Sequence, residues 1–131
     1  MSGRARLRDP LKHARGLGSA KDGTHHFIVQ RVTSIALIFL TVYVVGLVVW
    51  MAGNDYLTIR AAVAHPVNAM LLVAFLIANF WHAQLGVQVV IEDYVHTPWI
   101  AAASRLAVLF VCILAALASV LAVVRIALGG V

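Results

Sequence analysis

Three long stretches of the chain carry no Asp, Glu, Lys or Arg. They are Val32 to Asn54, Ala61 to Ile91, and Leu106 to Val124, the last led in by the uncharged residues Tyr94 to Ser104. A helix needs about 20 apolar residues to cross the hydrocarbon of a bilayer, and each stretch supplies them. The alternation of a membrane β-barrel is absent, so each stretch is predicted to be a helix that satisfies its own backbone groups in lipid. The punctuation agrees. Gly53-Asn54 stops the first helix, and Pro66 opens the second where its missing N–H costs nothing. Thr97-Pro98 reads as an N-cap with proline at the first helical position of the third, and Gly129-Gly130 ends it. The predicted architecture is all-α, an integral membrane protein with spans at about 29–52, 66–92 and 98–127. Residues 1–28 then form an N-terminal segment and residues 128–131 a short tail.

Composition sharpens this. Of 131 residues, 63% are hydrophobic and 11% charged, whereas a soluble domain carries about a quarter charged residues. A disordered chain, a disulfide scaffold and a separate soluble catalytic unit are excluded. Cys112 is the single cysteine, which removes any internal disulfide or cysteine zinc cluster. The net charge of +5 matters less than its placement. Eight of the ten basic residues, Arg4, Arg6, Arg8, Lys12, Arg15, Lys21, Arg31 and Arg105, fall on one side of the three spans; Arg60 and Arg125 fall on the other. The positive-inside rule therefore predicts a cytoplasmic N-terminus and a periplasmic C-terminus in a cell inner membrane, with a mitochondrial inner membrane the less favoured setting. The first apolar run is longer than the roughly 7–15 residues of a signal-peptide core, so a retained span is expected rather than a cleaved leader. The basic N-terminal segment suits a solvated topology determinant, or docking to anionic lipid or a soluble partner. No base-reading element accompanies the charge, so no nucleic-acid partner is expected.

The chemistry lies in the few polar residues at membrane depth. His82 sits well inside the second span, with Asn79 before it and Gly86 after it. At about 100° per residue, Asn79, His82, Gly86 and Asp93 share one helix face. A neutral imidazole in such a bundle is a good axial ligand for haem iron, and Gly86 leaves room for a flat group beside it. The competing role for His82 is a hydrogen bond to a neighbouring helix. His65 lies about 25 Å away along the helix, so a bis-histidine haem requires its second ligand from another chain. Arg31, with His25 and His26 just before it, suits haem propionates, since guanidinium offers carboxylate a bidentate fork. It equally suits an interfacial arginine reaching the headgroups. Glu92, Asp93 and Tyr94 close the second span. Tyr94 has the donor for a quinone carbonyl and Asp93 a group to relay a proton; the alternative for Tyr94 is the interfacial aromatic belt. Trp50, Tyr56 and Trp99 read as belt residues, Trp81 as belt or cofactor contact, and Cys112 as packing.

The run from His82 to Tyr94, HAQLGVQVVIEDY, resembles the H-x3-G-x6-D-Y signature of the small hydrophobic anchor subunit of succinate dehydrogenase, respiratory complex II. The stretch HHFIVQRVTSI from His25 to Ile35 is similar to that family's H-x5-R segment leading into its first helix. The resemblance covers roughly residues 25–127. It implies a three-helix anchor packed into a bundle with a companion cytochrome b subunit, which supplies the second haem ligand. His82 would be the axial ligand to haem b, with Arg31 and His25 near the propionates and Gly86 at the close approach. Tyr94 would be the hydrogen-bond donor to ubiquinone and Asp93 its neighbour in the proton path. FAD and the iron–sulfur clusters would reside in a flavoprotein subunit and an iron–sulfur subunit, and no succinate-oxidising site would lie in this chain. The chain departs from the family pattern at His26, where some relatives have an acid, and at Glu92, a second acid beside Asp93. The alternatives are a quinol:fumarate reductase anchor and a non-redox small membrane protein such as a transporter subunit or assembly factor.

Overall fold

A computed structural model describes residues 20–129, and every element among them is helical. The helices are α1 (Ala20–Met51), α2 (Tyr56–Ala64), α3 (Pro66–Tyr94) and α4 (Pro98–Ala127). Three segments are long and apolar enough to cross a membrane: Phe27–Met51, Pro66–Tyr94 and Pro98–Ala127. The fold is thus an all-α membrane protein with three spanning helices, as the charge-free stretches predict. The greater part of the basic segment, residues 1–19, and residues 130–131 of the tail lie outside the described residues.

α1 is already helical at Ala20, the first described residue, ahead of its apolar stretch. Hydropathy marks where lipid begins, whereas helical hydrogen bonding continues into the polar turns beside it. Proline opens α3 and α4, and His65 and Thr97 occupy their N-cap positions in extended backbone without a side-chain cap bond. Extended backbone is what the residue before a proline prefers. Gly129, with φ +78, closes α4.

α2 is the element the charge-free stretches do not reveal. The run from Ala61 to Ile91 looks continuous, but the chain breaks at His65-Pro66 and the residues before it form a separate short helix. Asp55 caps it. Its carboxylate accepts from the Leu57 backbone N–H at 3.2 Å and from the Thr58 hydroxyl, and the Thr58 bond leads in holding the Asp55 pKa below the usual carboxylate value.

α3 is the central helix: it packs against α4 on one side and α1 on the other, with α2 resting on α3 and α4. Among the described residues, Leu85 and Ile91 of α3 and Ala101 of α4 are buried. Alanine in the first turn of α4 lets the two backbones approach closely. Polar bonds fasten α1 to α3 at two levels. Tyr43 donates to Asn68 Oδ1 at 2.6 Å, and Asn68 Nδ2 donates on to the Ala62 carbonyl at 2.8 Å, tying in α2 as well. Nearer the other end, Thr33 meets His82. As numbering rises along α1 it falls along α3, so the pair is antiparallel.

Candidate functional site

The site is built on α3. Along that helix His82 lies about 18 Å from Tyr94 at 1.5 Å per residue, which is roughly half the thickness of a bilayer's hydrocarbon core. Its side chain is half-buried against α1. Nδ1 of His82 is 3.2 Å from Thr33 Oγ1, and the same hydroxyl lies 2.8 Å from the Val29 carbonyl and 3.1 Å from that of Gln30. Nε2 makes no hydrogen bond among the described residues. One turn on, a Cβ built at Gly86 meets nothing within 4 Å. There is therefore open room on the helix beside the histidine, as the glycine predicts. Asn79, on the same face, is exposed and makes no hydrogen bond among the described residues.

The flanking stripe of α3 carries a polar ladder at four-residue spacing. Gln84 Nε2 donates to Gln88 Oε1 at 3.3 Å, and Gln88 Nε2 donates to Glu92 Oε1 at 3.0 Å. Glu92 in turn faces Arg105 of α4 at 3.8 Å. The two adjacent acids therefore differ. Glu92 belongs to an interhelical ladder, whereas Asp93 is exposed and has no ion pair or hydrogen bond among the described residues. Tyr94 is 78% exposed at the helix end.

His25 lies against α3 across a cavity of about 230 Å³, lined by His25, Val29, Trp81, Gln84, Leu85 and Gln88. Arg31 does not line it; its guanidinium stacks over Phe27 at 5.0 Å from the ring centroid. The His26 side chain lies outside the described residues. Trp81 also lines an apolar groove of about 330 Å³ between α3 and α4, together with Phe80, Leu109 and half-buried Cys112. The structure thus brings His82 to α1, keeps Asp93 and Tyr94 together at the end of α3, and seats His25 beside the glutamine ladder. Arg31, on the same helix, stands apart from that cavity.

Two features escape the sequence reading. The glutamine ladder was available in the four-residue spacing of Gln84, Gln88 and Glu92. Thr33 was not, because its meeting with His82 depends on the register of α1 against α3.

Together, three spanning helices, a half-buried histidine at membrane depth and an exposed Asp-Tyr pair at a helix end define a multi-pass membrane protein with those polar side chains gathered on one helix. The chain matches, over residues 5–122, the family described as the succinate dehydrogenase/fumarate reductase transmembrane subunit, and it belongs to that family. Among curated relatives, the succinate dehydrogenase hydrophobic membrane anchor subunit of Paracoccus denitrificans is 32% identical over 93% of this chain and 94% of its own length. The subunits of that name from Rickettsia bellii and Rickettsia typhi are 35% and 30% identical, over 68% and 80% of this chain and 71% and 84% of their own. No solved structure matches.

Proposed function

We propose that this chain is the small membrane-anchor subunit of a succinate:quinone oxidoreductase. The observation that carries the reading is the family match across residues 5–122, joined by relatives that bear the anchor-subunit name. The chain holds the flavoprotein and iron–sulfur subunits at the membrane, packs with a cytochrome b subunit, and contributes to a haem b site and a ubiquinone-reduction site. FAD and the iron–sulfur clusters belong to the partners, and this chain oxidises no succinate. The N-terminus faces the cytoplasm of a cell inner membrane and the C-terminus the periplasm, which puts the Asp93-Tyr94 end of α3 on the cytoplasmic side.

The residues present fit a haem. His82 has one ring nitrogen engaged with Thr33 and the other free among the described residues, which is the arrangement an axial ligand needs. The space beside Gly86 accommodates the approach of a flat group. When bound, the haem supplies a one-electron redox centre between the chains. His82 would hold its iron together with a histidine of the cytochrome b subunit, and Arg31 and His25 of α1 would supply cationic and hydrogen-bonding groups for its propionates. At the end of α3, Tyr94 donates a hydrogen bond to a quinone carbonyl and Asp93 carries protons from water toward the reduced oxygen. Electrons enter from the partner's iron–sulfur clusters.

Purification of the tagged chain in mild detergent tests this reading. A flavoprotein, an iron–sulfur protein and a second cytochrome subunit should accompany it, with a b-type band in the reduced-minus-oxidised spectrum and succinate:quinone activity. Recovery of the chain without them would return it to the non-redox membrane proteins. A second direction, quinol:fumarate reduction, falls within the family's own description, which names both enzymes. Initial rates of succinate oxidation and fumarate reduction in the purified complex separate the two.

A further inference from the structure

We propose that Thr33 is the positioning residue for the haem ligand: its hydroxyl accepts the Nδ1 proton of His82 and so fixes the imidazole tautomer and ring plane with Nε2 presented to iron. The inference rests on the assignment of His82 as ligand and deepens it.

Three distances carry the argument. A threonine hydroxyl has one proton to give and lone pairs to receive. Thr33 Oγ1 lies 2.8 Å from the Val29 carbonyl oxygen, 3.1 Å from that of Gln30 and 3.2 Å from His82 Nδ1. Both carbonyls only accept, and the nearer one lies closer than the imidazole does. The hydroxyl proton therefore goes back to the Val29 carbonyl on α1. Its lone pair is left to receive a proton from Nδ1. A neutral imidazole carrying its proton on Nδ1 has its free lone pair on Nε2. The bond crosses from α1 to α3, so the docking of these two helices sets the ring plane. A lone helix would leave His82 free to turn. Ser34 on the next position bonds only the Gln30 carbonyl, at 2.6 Å. Thr33 is accordingly the α1 hydroxyl that reaches the histidine.

A hydrogen-bond acceptor on Nδ1–H makes an imidazole a more basic ligand and favours the ferric over the ferrous ion. Thr33→Val keeps the shape of the side chain and deletes the acceptor. In the assembled complex, the haem midpoint potential of this variant should move to more positive values. A tenfold loss of ferric preference reads as about 59 mV for a one-electron couple. The low-spin electron paramagnetic resonance signal should shift or broaden as the ring loses its fixed plane. Thr33→Ala lacks the hydroxyl without crowding the helix interface and should behave alike. Thr33→Ser restores the acceptor and should return the wild-type potential and signal. Loss of haem from a Val or Ala complex that still assembles counts with the shift. Wild-type potential and signal in both the Val and Ala variants overturn the proposal while leaving His82 as ligand. An unchanged low-spin signal in His82→Ala overturns the ligand assignment itself.

Discussion

Glu92 and Asp93 are neighbouring carboxylates with different company, and that difference divides their work. Glu92 accepts from Gln88 and faces Arg105. Such a half-exposed pair is worth about 0–1 kcal/mol and acts as a clasp between α3 and α4. Asp93 is exposed and unengaged among the described residues, and so is available to water and to a proton in transit. Asp93→Asn should therefore slow succinate:quinone turnover, and Glu92→Gln should leave it close to wild type; steady-state assays of membranes with equal complex content compare the two. Tyr94→Phe retains the ring and removes the donor. A net hydrogen bond contributes about 0.5–1.5 kcal/mol, but one that strengthens as charge develops on the quinone oxygen costs more in rate. Quinone reduction should fall clearly in Tyr94→Phe, while electron transfer to an artificial acceptor at the flavoprotein persists. Wild-type quinone reduction by an intact Tyr94→Phe complex would leave Tyr94 as an interfacial belt residue. At Gly86 an added Cβ meets nothing within 4 Å among the described residues. Gly86→Leu should consequently insert normally but lose haem or the cytochrome partner, read from the spectrum of the purified complex.

At the scale of elements, α2 shows what hydropathy resolves and what it misses. The three spans are plain in the sequence because lipid demands long uncharged runs, and their ends are plain where Pro66, Pro98 and Gly129 stand. α2 is hidden because its last residues, from Ala61 to Ala64, are as apolar as the span that follows. Pro66 marks the break, but the pattern does not show that the residues before it form a helix of their own. The site is legible to the same degree. His82, Gly86, Asp93 and Tyr94 share one helix, so their spacing is a sequence property. The meeting of Thr33 with His82 and the seat of His25 beside Gln88 depend on how α1 docks on α3, which no spacing within one helix encodes. α2 also carries an acid-sensitive cap. The Asp55 pKa is lowered, chiefly by the Thr58 hydroxyl. A depressed carboxylate stabilises the folded element above its unfolded pKa, and that contribution disappears as pH falls through the folded value. Protection of the Leu57 and Thr58 amides, taken relative to the free-amide exchange rate at the same pH, should thus be present near neutrality and fall below the usual carboxylate range. In Asp55→Ala that protection should be lost at both pH values.

As a whole molecule the chain is an open layer, with α3 in the middle and its apolar surface turned outward on nearly every side. In the proposed topology the three crossings put the start of α1 and the end of α4 on opposite faces of the membrane. A reporter that functions only after export should be active when fused after Val131, since eight of ten basic residues lie on the other side. Activity restricted to a cytoplasmic reporter would reverse both the orientation and the proposed quinone face. The near absence of a core has a further consequence for the life of the chain in the cell. Among the described residues Leu85, Ile91 and Ala101 are the buried ones, while Asn79 stands exposed at membrane depth. A lone copy in lipid would hold an amide against hydrocarbon, where unmatched polar groups are costly. In the proposed complex the companion subunit would cover that amide. Made in excess, this chain should be short-lived, and a pulse-chase in a strain without the companion should show its rapid degradation, slowed by Asn79→Leu.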